Sequence, residues 1–356
     1  MVEAHWIESV EEFQKISKKW DDAILSQNEP NPFLLSNFIL TWWQHYQKGV
    51  HFKIFLIFEK EHLVGGIPLF LDSKERLFYP GGITANYTNP FFDATKNNFW
   101  DIFLNVLSRD KNWSSCHLRR HSRDANFKES NQLIIQKYVS DYTYLIEFQK
   151  GESEFQVPKK LQYYIRRGQR EFQNKGVLEF ISGISEEEFP FIYENYVSLC
   201  NRVFLDKSQK SEFENRQYKL YFFDLLNSFL KRNWLGMNIL KFNQEVVAIH
   251  FGYDVGKTLG YVLTTYDPTY AKWNPGHLLL FNLCELARKK NKWAVDLYTG
   301  GHYYKRQWSN CVRPVWQVDL YPKCFKNYFY ANWRKFLSSD TTKSKIKNAY
   351  NKILGF

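Results

Sequence analysis

The sequence predicts a mixed α/β (α+β) protein in which a set of antiparallel strands flanked by helices occurs twice. Apolar runs joined by a short polar turn, as in FKIFLIFEKEHLVGGIPLFL at 52–71, are typical of strand hairpins. Apolar residues at helical spacing, as over 32–46, predict helices with one buried face. The order of hairpin, loop, helix and short strand then repeats, which indicates a diverged duplication or, alternatively, a chance similarity between ordinary α/β units.

The first set of elements follows an acidic, helix-like start over 1–13. A proline suits the first turn of the helix predicted over 32–46. The hairpin over 52–71 comes next, and a Pro-Gly-Gly turn then leads to a helix over 97–108 and a short strand over 114–118.

Three helices are predicted between the two sets. The first spans 158–176 between a proline and a glycine. The second spans 185–204 and opens with Ser185 and Glu188 at the spacing of a capping box. The third spans 212–231.

The second set of elements repeats the order of the first. A hairpin is predicted over 237–253, a strand over 258–266, a helix over 277–290 and a strand over 293–299 that ends in a glycine turn. A last strand is predicted over 315–321.

We therefore expect a first half over 1–150, a second half over 151–322 and a basic, aromatic tail over 323–356. Helical spacing of aromatic residues in the tail favours packing on the protein itself. Docking of the tail on an anionic membrane face is the alternative.

Composition places the chain among globular proteins, with 44% hydrophobic and 24% charged residues, and excludes disordered and collagen-like classes. The net charge of +11 suits an anionic partner such as a phosphorylated cofactor, a nucleic acid or a membrane face, or serves solubility alone. Five scattered cysteines do not form a disulfide framework. No signal peptide or apolar run of about 20 residues is visible, so we expect a cytoplasmic protein.

The best local signal for a ligand is YAKWNPGHLLL at 270–280, where a strand leads through a loop to a glycine and directly into a helix. The first amides of a helix lack internal partners and carry the positive end of its dipole. Glycine there permits close approach of a pyrophosphate, although an ordinary helix start is the alternative.

Two further clusters are basic. DLYTGGHYYKRQW at 296–308 places Lys305 and Arg306 after a strand end, which suits an anionic group or a solvated turn. Arg166, Arg167 and Arg170 lie in a predicted helix and could bind phosphate or an anionic substrate, or form a solvated face.

Other catalytic patterns are weaker. His250 lies in the predicted strand VVAIHFGY, where its side chain faces either the core or a cleft. The sequence has no HExxH motif, paired CxxC, acidic calcium loop, Walker loop or G-x-S-x-G elbow, so we expect no metal.

Several segments together resemble one family. The segments are PFLLSNFILTWWQHY, VGGIPL, YPGG followed by ANY, IRRGQREF, VVAIHFGY, YDPTYAKWNPGHLLL and DLYTGGHYYKRQW. In this order they are similar, over 32–316, to the acetyltransferases of the GNAT superfamily grouped with the cellulose-biosynthesis CelD/BcsL proteins. The resemblance implies tandem GNAT-like domains, each a mixed, mostly antiparallel sheet flanked by helices, related to the FemA/FemB/FemX aminoacyltransferases.

The resemblance also implies a site for acetyl-CoA, or another acyl-CoA, in the second half. The strand over 258–265 would separate from its neighbour and pair with the pantetheine arm. Only Gly276 matches the usual superfamily loop Q/R-x-x-G-x-G/A. At the corresponding position the first half has TNPFF where the second half has NPGHL, and so lacks the glycine at the helix start. We therefore expect the first half to be structural or substrate-binding. The implied cofactor-binding residues are Val262, Leu263, Thr264, Asn274, Gly276, His277 and Leu278.

The reaction implies the remaining roles. A base must take a proton from the attacking amine, and His250 or Asp296 is the candidate. Lys305 would steer an anionic substrate or stabilise charge, and Tyr304 would protonate the leaving thiolate. Arg166, Arg167 and Arg170 would bind the substrate.

We expect an acyl-CoA-dependent N-acyltransferase acting in polysaccharide biosynthesis at the cell envelope, on a small-molecule or lipid-linked amino sugar. An aminoacyltransferase of the FemX kind that uses charged tRNA is one alternative. A non-catalytic binding module in envelope assembly is the other.

Overall fold

The structure is a computed structural model that describes residues 2–82, 84–92, 98–122, 130–149, 156–206 and 208–324. The tail helix expected over 323–356 lies almost wholly outside the described residues.

The first half of the chain alternates short helices with strands. Its helices are α1 (Val10–Leu25), α2 (Ser36–Tyr46) and α3 (Phe99–Arg109). Its strands are β1 (Val2–Ile7), β2 (Val50–Glu59), β3 (His62–Asp72), β4 (Arg76–Phe78), β5 (Phe91–Phe92), β6 (Ser115–His121) and β7 (Leu133–Glu147).

The second half has the same kinds of element. Its helices are α4 (Lys159–Gln173), α5 (Phe189–Asp206), α6 (Arg216–Leu230), α7 (Pro275–Lys289) and α8 (Tyr303–Trp308). Its strands are β8 (Leu178–Ser182), β9 (Leu235–Phe242), β10 (Glu245–Tyr253), β11 (Thr258–Gly260), β12 (Leu263–Tyr266), β13 (Ala294–Thr299) and β14 (Cys311–Pro322). A 3₁₀ turn, Pro268–Trp273, precedes α7.

The strands form two mostly antiparallel sheets. Over the described residues the larger sheet has ten strands in the order β1-β2-β3-β4-β6-β14-β7-β13-β11, with β5 paired to β3. The smaller sheet has the order β12-β10-β9-β8. Three strand pairings of the first half have a counterpart in the second half. The antiparallel pair β1–β2 corresponds to β8–β9, and the antiparallel pair β3–β5 corresponds to β10–β12. The parallel pair β4–β6 corresponds to the parallel pair β11–β13. The predicted mixed α/β class with tandem, mostly antiparallel architecture is confirmed.

The two halves share one sheet because they exchange their last strands, β7 and β14. β14 pairs with β6 of the first half, and β7 pairs with β13 of the second. β7 and β14 also pair with each other from Leu133–Pro322 to Leu145–Cys311. Each half therefore completes its sheet with a strand from the other.

The expected helix at the start of the chain is wrong. Residues 2–7 form β1, which pairs along residues 54–59 of β2. The helix begins only after Ser9, whose hydroxyl accepts the amide of Glu12 as an N-cap. The edge of β2 offers hydrogen bonds to this segment, and such tertiary pairing overrides local helical preference.

The expected capping box before α5 is present. The Ser185 amide donates to Glu188 Oε2 at 3.1 Å, and the Glu188 amide donates to Ser185 Oγ at 3.3 Å. Among the described helices, none combines the length and the apolar character needed to cross a membrane.

A buried polar cluster joins β14 to β6. Asp319 is fully buried, lies opposite His117 in the strand register, and is 2.7 Å from His117 Nδ1. The Gln317 side chain also donates to Asp319, at 2.6 Å. Because a buried carboxylate is stable only with partners, this cluster helps to fix the register of the shared sheet.

We predict that Asp319→Ala lowers the free energy of unfolding by about 3 kcal/mol, because it leaves buried donors without an acceptor. Asp22→Ala is the matched control, since the Asp22–Lys18 pair is exposed on both sides, and it should cost less than about 1 kcal/mol. Urea denaturation measures both. Equal losses would contradict a special role for the buried cluster.

Candidate active site

The strand predicted over 258–266 divides into two strands that belong to different sheets. β11 runs parallel to β13 with Gly260 opposite Asp296, and the Tyr261 amide still donates to the Asp296 carbonyl at 2.7 Å. β12 then pairs with β10 in the smaller sheet. Within the described residues, no strand pairing joins β12 to β13, so the backbone edges of these two strands separate beyond Tyr261.

His250 lies in the core and stabilises the segment in which the chain passes from β11 in the larger sheet to β12 in the smaller sheet. It is fully buried, its Nδ1 accepts from the Asn238 side chain at 3.1 Å, and its Nε2 donates to the Gly260 carbonyl at 3.1 Å. Its ring stacks on Tyr261 with centroids 5.0 Å apart. Burial lowers the pKa of His250 to about 3, so the ring is neutral. With both nitrogens occupied, His250 lies in the core rather than in a cleft, and it holds β9, β10 and β11 together.

The start of α7 faces open space. Asn274 has a left-handed backbone (φ 57°), and the amides of His277 and Leu278 reach only the Asn274 carbonyl, at 3.1 and 3.2 Å. A β-carbon at Gly276 would meet only the Tyr266 ring, at an ordinary 3.7 Å. The positive end of the helix dipole is therefore accessible to an anion above Gly276.

The side chain of His277 is engaged in packing. Its Nδ1 accepts from Trp308 Nε1 at 2.9 Å. Its ring stacks between Trp308, with centroids 6.0 Å apart, and Tyr164 of α4, with centroids 5.7 Å apart. Burial lowers the pKa of His277. His277 therefore positions the start of α7 through its ring.

α4 packs directly against this helix start. A β-carbon at Gly168 would lie 2.4 Å from the Trp273 carbonyl oxygen, so only glycine permits the contact. Arg166 and Arg170 are exposed and Arg167 is half-buried. None of these three arginines makes an ion pair with a residue that the structure describes. The close contact at Gly168 thus fixes the position of α4 beside the start of α7.

Asp296 lies at the point where β11 and β13 separate. It is buried and accepts hydrogen bonds from the Tyr87 hydroxyl at 2.6 Å, the Tyr298 amide at 2.7 Å and the Thr143 hydroxyl at 3.3 Å. Burial raises the pKa of Asp296 to about 6, against the opposing effect of these bonds and of Lys305. Asp296 lines a cleft of about 120 Å³. Tyr87, Thr143, Asn31 and Arg313 are among its other lining residues.

Lys305 lies at the other end of β13. Its Nζ donates to the Thr299 carbonyl at 2.5 Å, and burial lowers its pKa to about 8, although Asp296 and Asp141 favour the charged form. A bulge in the pairing of β13 with β7 lies between Asp296 and Thr299, where Tyr298 has a φ of 57°. Such bulges re-aim side chains next to functional sites.

Tyr304, in α8, contacts Tyr261 edge to face with ring centroids 6.2 Å apart. Burial raises its pKa, so its hydroxyl keeps its proton at neutral pH.

The structure thus places Asp296, Tyr304 and Lys305 around β13, and Val262, Leu263 and Thr264 at the separated strand. Asn274, Gly276, His277 and Leu278 lie at the helix start, with Arg166, Arg167 and Arg170 on the neighbouring α4, and His250 lies in the core. Sequence reasoning missed Tyr87 and Thr143, which the first half contributes to Asp296. The only signal was the ANY segment, noticed as part of the family resemblance. The described residues contain no group of three or more His, Cys, Asp or Glu side chains placed to hold a metal.

Comparison with known proteins agrees with this geometry. The family described as acetyltransferase (GNAT) domain matches residues 159–306, from α4 into α8. FemX has a similar solved structure, with a TM-score of 0.60 and 8% identity over 92% of this chain and 99% of FemX. A conserved protein of unknown function from Bacteroides thetaiotaomicron has a TM-score of 0.57 and 12% identity over 90% of this chain and all of its own.

A third similar structure is the C-terminal domain of a putative lysylphosphatidylglycerol synthetase from Agrobacterium fabrum. Its TM-score is 0.54, with 11% identity over 91% of this chain and 96% of that domain. Among curated proteins, none matches the chain. At these identities the solved structures show a shared fold, and the expected CelD/BcsL grouping stays a prediction. Over residues 159–306 the chain is therefore similar to GNAT-type acetyltransferase domains.

Proposed function

We propose that this chain is an acyl-CoA-dependent N-acyltransferase whose acceptor is an amine of an amino sugar or another envelope-polysaccharide precursor. The observation that carries the proposal is the separation of β12 from β13 directly before the open, glycine-lined start of α7. The GNAT-type domain over residues 159–306 supports acyl transfer as the reaction class.

The backbone suits the carrier at two places. The unpaired edge at Val262, Leu263 and Thr264 offers amides and carbonyls to the amide groups of pantetheine. The Gly276 amide and the positive end of the α7 dipole offer a positively polarised surface to the pyrophosphate, while the amides of His277 and Leu278 already donate to the Asn274 carbonyl. When bound, acyl-CoA supplies the activated thioester carbonyl, and strand amides are candidate donors to its developing oxyanion.

Asp296 is our candidate general base. Its pKa of about 6 leaves it ionised at neutral pH and able to accept the proton of the acceptor amine. Tyr87 and Thr143 hold the carboxylate in the cleft. The amine forms the new C–N bond as the C–S bond breaks, and protonated Tyr304 is the candidate acid for the thiolate. Lys305 stabilises negative charge or steers an anionic acceptor.

Transfer from an aminoacyl-tRNA is a second candidate, favoured by the unpaired Arg166 and Arg170 on exposed α4. Phosphate contacts make RNA binding steeply salt-dependent. Titration of charged tRNA at two salt concentrations, beside acetyl-CoA, separates the two candidates.

We predict that Gly276→Asp weakens acetyl-CoA binding by at least about tenfold, because it places a carboxylate where the pyrophosphate binds. An acidic residue in a first helical turn favours the helix, so the variant should fold. Gly276→Ala is the matched control and should lose less affinity than Gly276→Asp, since its β-carbon fits against the protein and adds no negative charge. Calorimetry measures both, and unchanged binding by Gly276→Asp would refute the site.

We predict that kcat/KM falls as the pH drops through about 6, because protonated Asp296 cannot accept the amine proton. Asp296→Asn should lower kcat by about 10²-fold or more and abolish this acidic limb. A pH–rate profile with acetyl-CoA and an accepted amine measures both effects.

A tyrosine pair controls for that assignment. The Tyr87 hydrogen bond lowers the pKa of Asp296, so Tyr87→Phe should move the acidic limb to higher pH. Tyr79→Phe is the control, because it also removes a buried tyrosine hydroxyl, one that donates a hydrogen bond to the Phe33 carbonyl. This variant should leave the acidic limb of the pH–rate profile at its original pH. Identical profiles for the two variants would exclude Asp296 as the titrating base.

A further inference from the structure

The first half of the chain has a cleft of its own, which no step of the proposed function uses. It encloses about 280 Å³, against about 120 Å³ for the cleft at Asp296, and its lining includes His117 and Arg119 of β6. These two residues alternate along the strand with Cys116 and Leu118, which lie in the hydrophobic core. The cleft therefore opens on the face of the sheet that points away from this core.

His117 has the position in the first half that Asp296 has in the second. It lies opposite the last residue of β4 in the parallel pair β4–β6, as Asp296 lies opposite the last residue of β11 in the pair β11–β13. The exchanged strand β7 brings the Thr143 hydroxyl to Asp296. In the same way, the exchanged strand β14 brings the Asp319 carboxylate to His117. Each half thus places a titratable side chain, held by the exchanged strand, in a cleft.

Three side chains at the first-half cleft form a hydrogen-bonded series. His117 Nδ1 lies 2.7 Å from Asp319 Oδ1, and Nε2 lies 2.9 Å from Ser115 Oγ. Because an ionised carboxylate only accepts hydrogen bonds, Nδ1 carries the ring proton and Nε2 accepts from the serine hydroxyl. Asp319 is fully buried and also accepts from the Gln317 side chain at 2.6 Å, which fixes its orientation. A serine on a histidine that a buried carboxylate orients is the arrangement of an activated nucleophile.

The contrast with His250 shows why the partner of Nε2 matters. His250 is fully buried, and its Nε2 donates to a backbone carbonyl, so it has no hydroxyl to activate. The His117 side chain is 15% exposed, lines a cleft, and directs Nε2 at a hydroxyl. Ser115 is 7% exposed, so a short acyl group suits the space beside it better than a bulky one. His117 is thus placed to take a proton from Ser115.

Arg119 gives the cleft a positive charge. It is exposed and lies two residues, or about 7 Å along the strand, from His117 on the same face of β6. It makes no ion pair with any residue in the part of the chain that the structure describes. Arg76, also in the lining, is held by Asp72 at 2.6 Å. A ligand with an anionic group a few bonds from its acyl carbon would therefore pair with Arg119.

We propose that Ser115, His117 and Asp319 form a second catalytic site, which hydrolyses esters of short acyl groups that carry an anionic group for Arg119. Ser115 Oγ bonds to the ester carbonyl carbon as its proton passes to His117 Nε2. That proton leaves with the alcohol when the C–O bond breaks. Water then gives a proton to His117 and bonds to the acyl carbon, and the acid leaves as the proton returns to Ser115. This activity does not depend on the proposed acyl-CoA site.

Labelling of the full chain with a fluorophosphonate probe, located by peptide mass spectrometry, tests the nucleophile. The probe should modify Ser115, and His117→Gln should slow the modification by about 10²-fold or more, because the hydroxyl loses its base. Ser114→Ala is the matched control, since Ser114 Oγ donates to the Glu75 carbonyl and has no histidine, and it should be labelled like the native chain. An unmodified Ser115 in the native chain, or equal labelling rates in folded His117→Gln, would overturn the site.

Hydrolysis of two 4-nitrophenyl esters tests the substrate class. The monoester of adipic acid and the ester of hexanoic acid have acyl chains of equal length, and only the first carries a carboxylate. The native chain should hydrolyse the adipate ester with a kcat/KM about tenfold or more above that of the hexanoate ester, and Arg119→Gln should reduce this ratio to within about twofold. An unchanged ratio in Arg119→Gln would contradict the anion contact.

Ser115→Ala keeps the test decisive if His117→Gln does not fold. It removes a single oxygen atom, and urea denaturation shows whether the variant is folded. Folded Ser115→Ala should hydrolyse neither ester above the rate in buffer. Turnover equal to that of the native chain would overturn Ser115 as the nucleophile, whatever the outcome at the acyl-CoA site.

Discussion

The site depends on the need of every backbone amide and carbonyl for a partner. β11 forms its backbone hydrogen bonds with β13 of the larger sheet, whereas β12 forms them with β10 of the smaller sheet. The chain therefore passes from one sheet to the other within two residues. His250 makes this crossing stable from within by bonding Asn238 and the Gly260 carbonyl. The strand edges that separate there are left for a ligand with peptide-like groups, and our proposal assigns them to the carrier for this reason.

The exchange of last strands has a second consequence for the site. β7 pairs with β13, so Thr143 lies beside Asp296, and the loop that carries Tyr87 reaches the same carboxylate. The base in our proposal is thus held by both halves of the chain. The burial that raises its pKa comes from this assembly, and we infer that the first half serves the reaction by shaping the acceptor cleft.

Much of the fold was predictable because its signals are local. The hairpins over 52–71 and 237–253, the Ser185–Glu188 capping box and the glycine before α7 depend on neighbouring residues. The strand β1 and the division of the strand over 258–266 were not predictable, because distant strands provide the competing hydrogen bonds. Tyr87 and Asp296 are far apart in sequence, and no spacing rule connects them. His250 had two open interpretations, and only its two buried hydrogen bonds distinguish them.

Hydrogen–deuterium exchange of the native chain with and without acetyl-CoA tests the central claim most directly. Our account predicts slower exchange of the amides at 262–264 and 276–278, because a bound carrier would pair with both segments, and little change at the distant β1. Tight binding without protection at either segment would contradict it, since the carrier would then lie elsewhere on the protein.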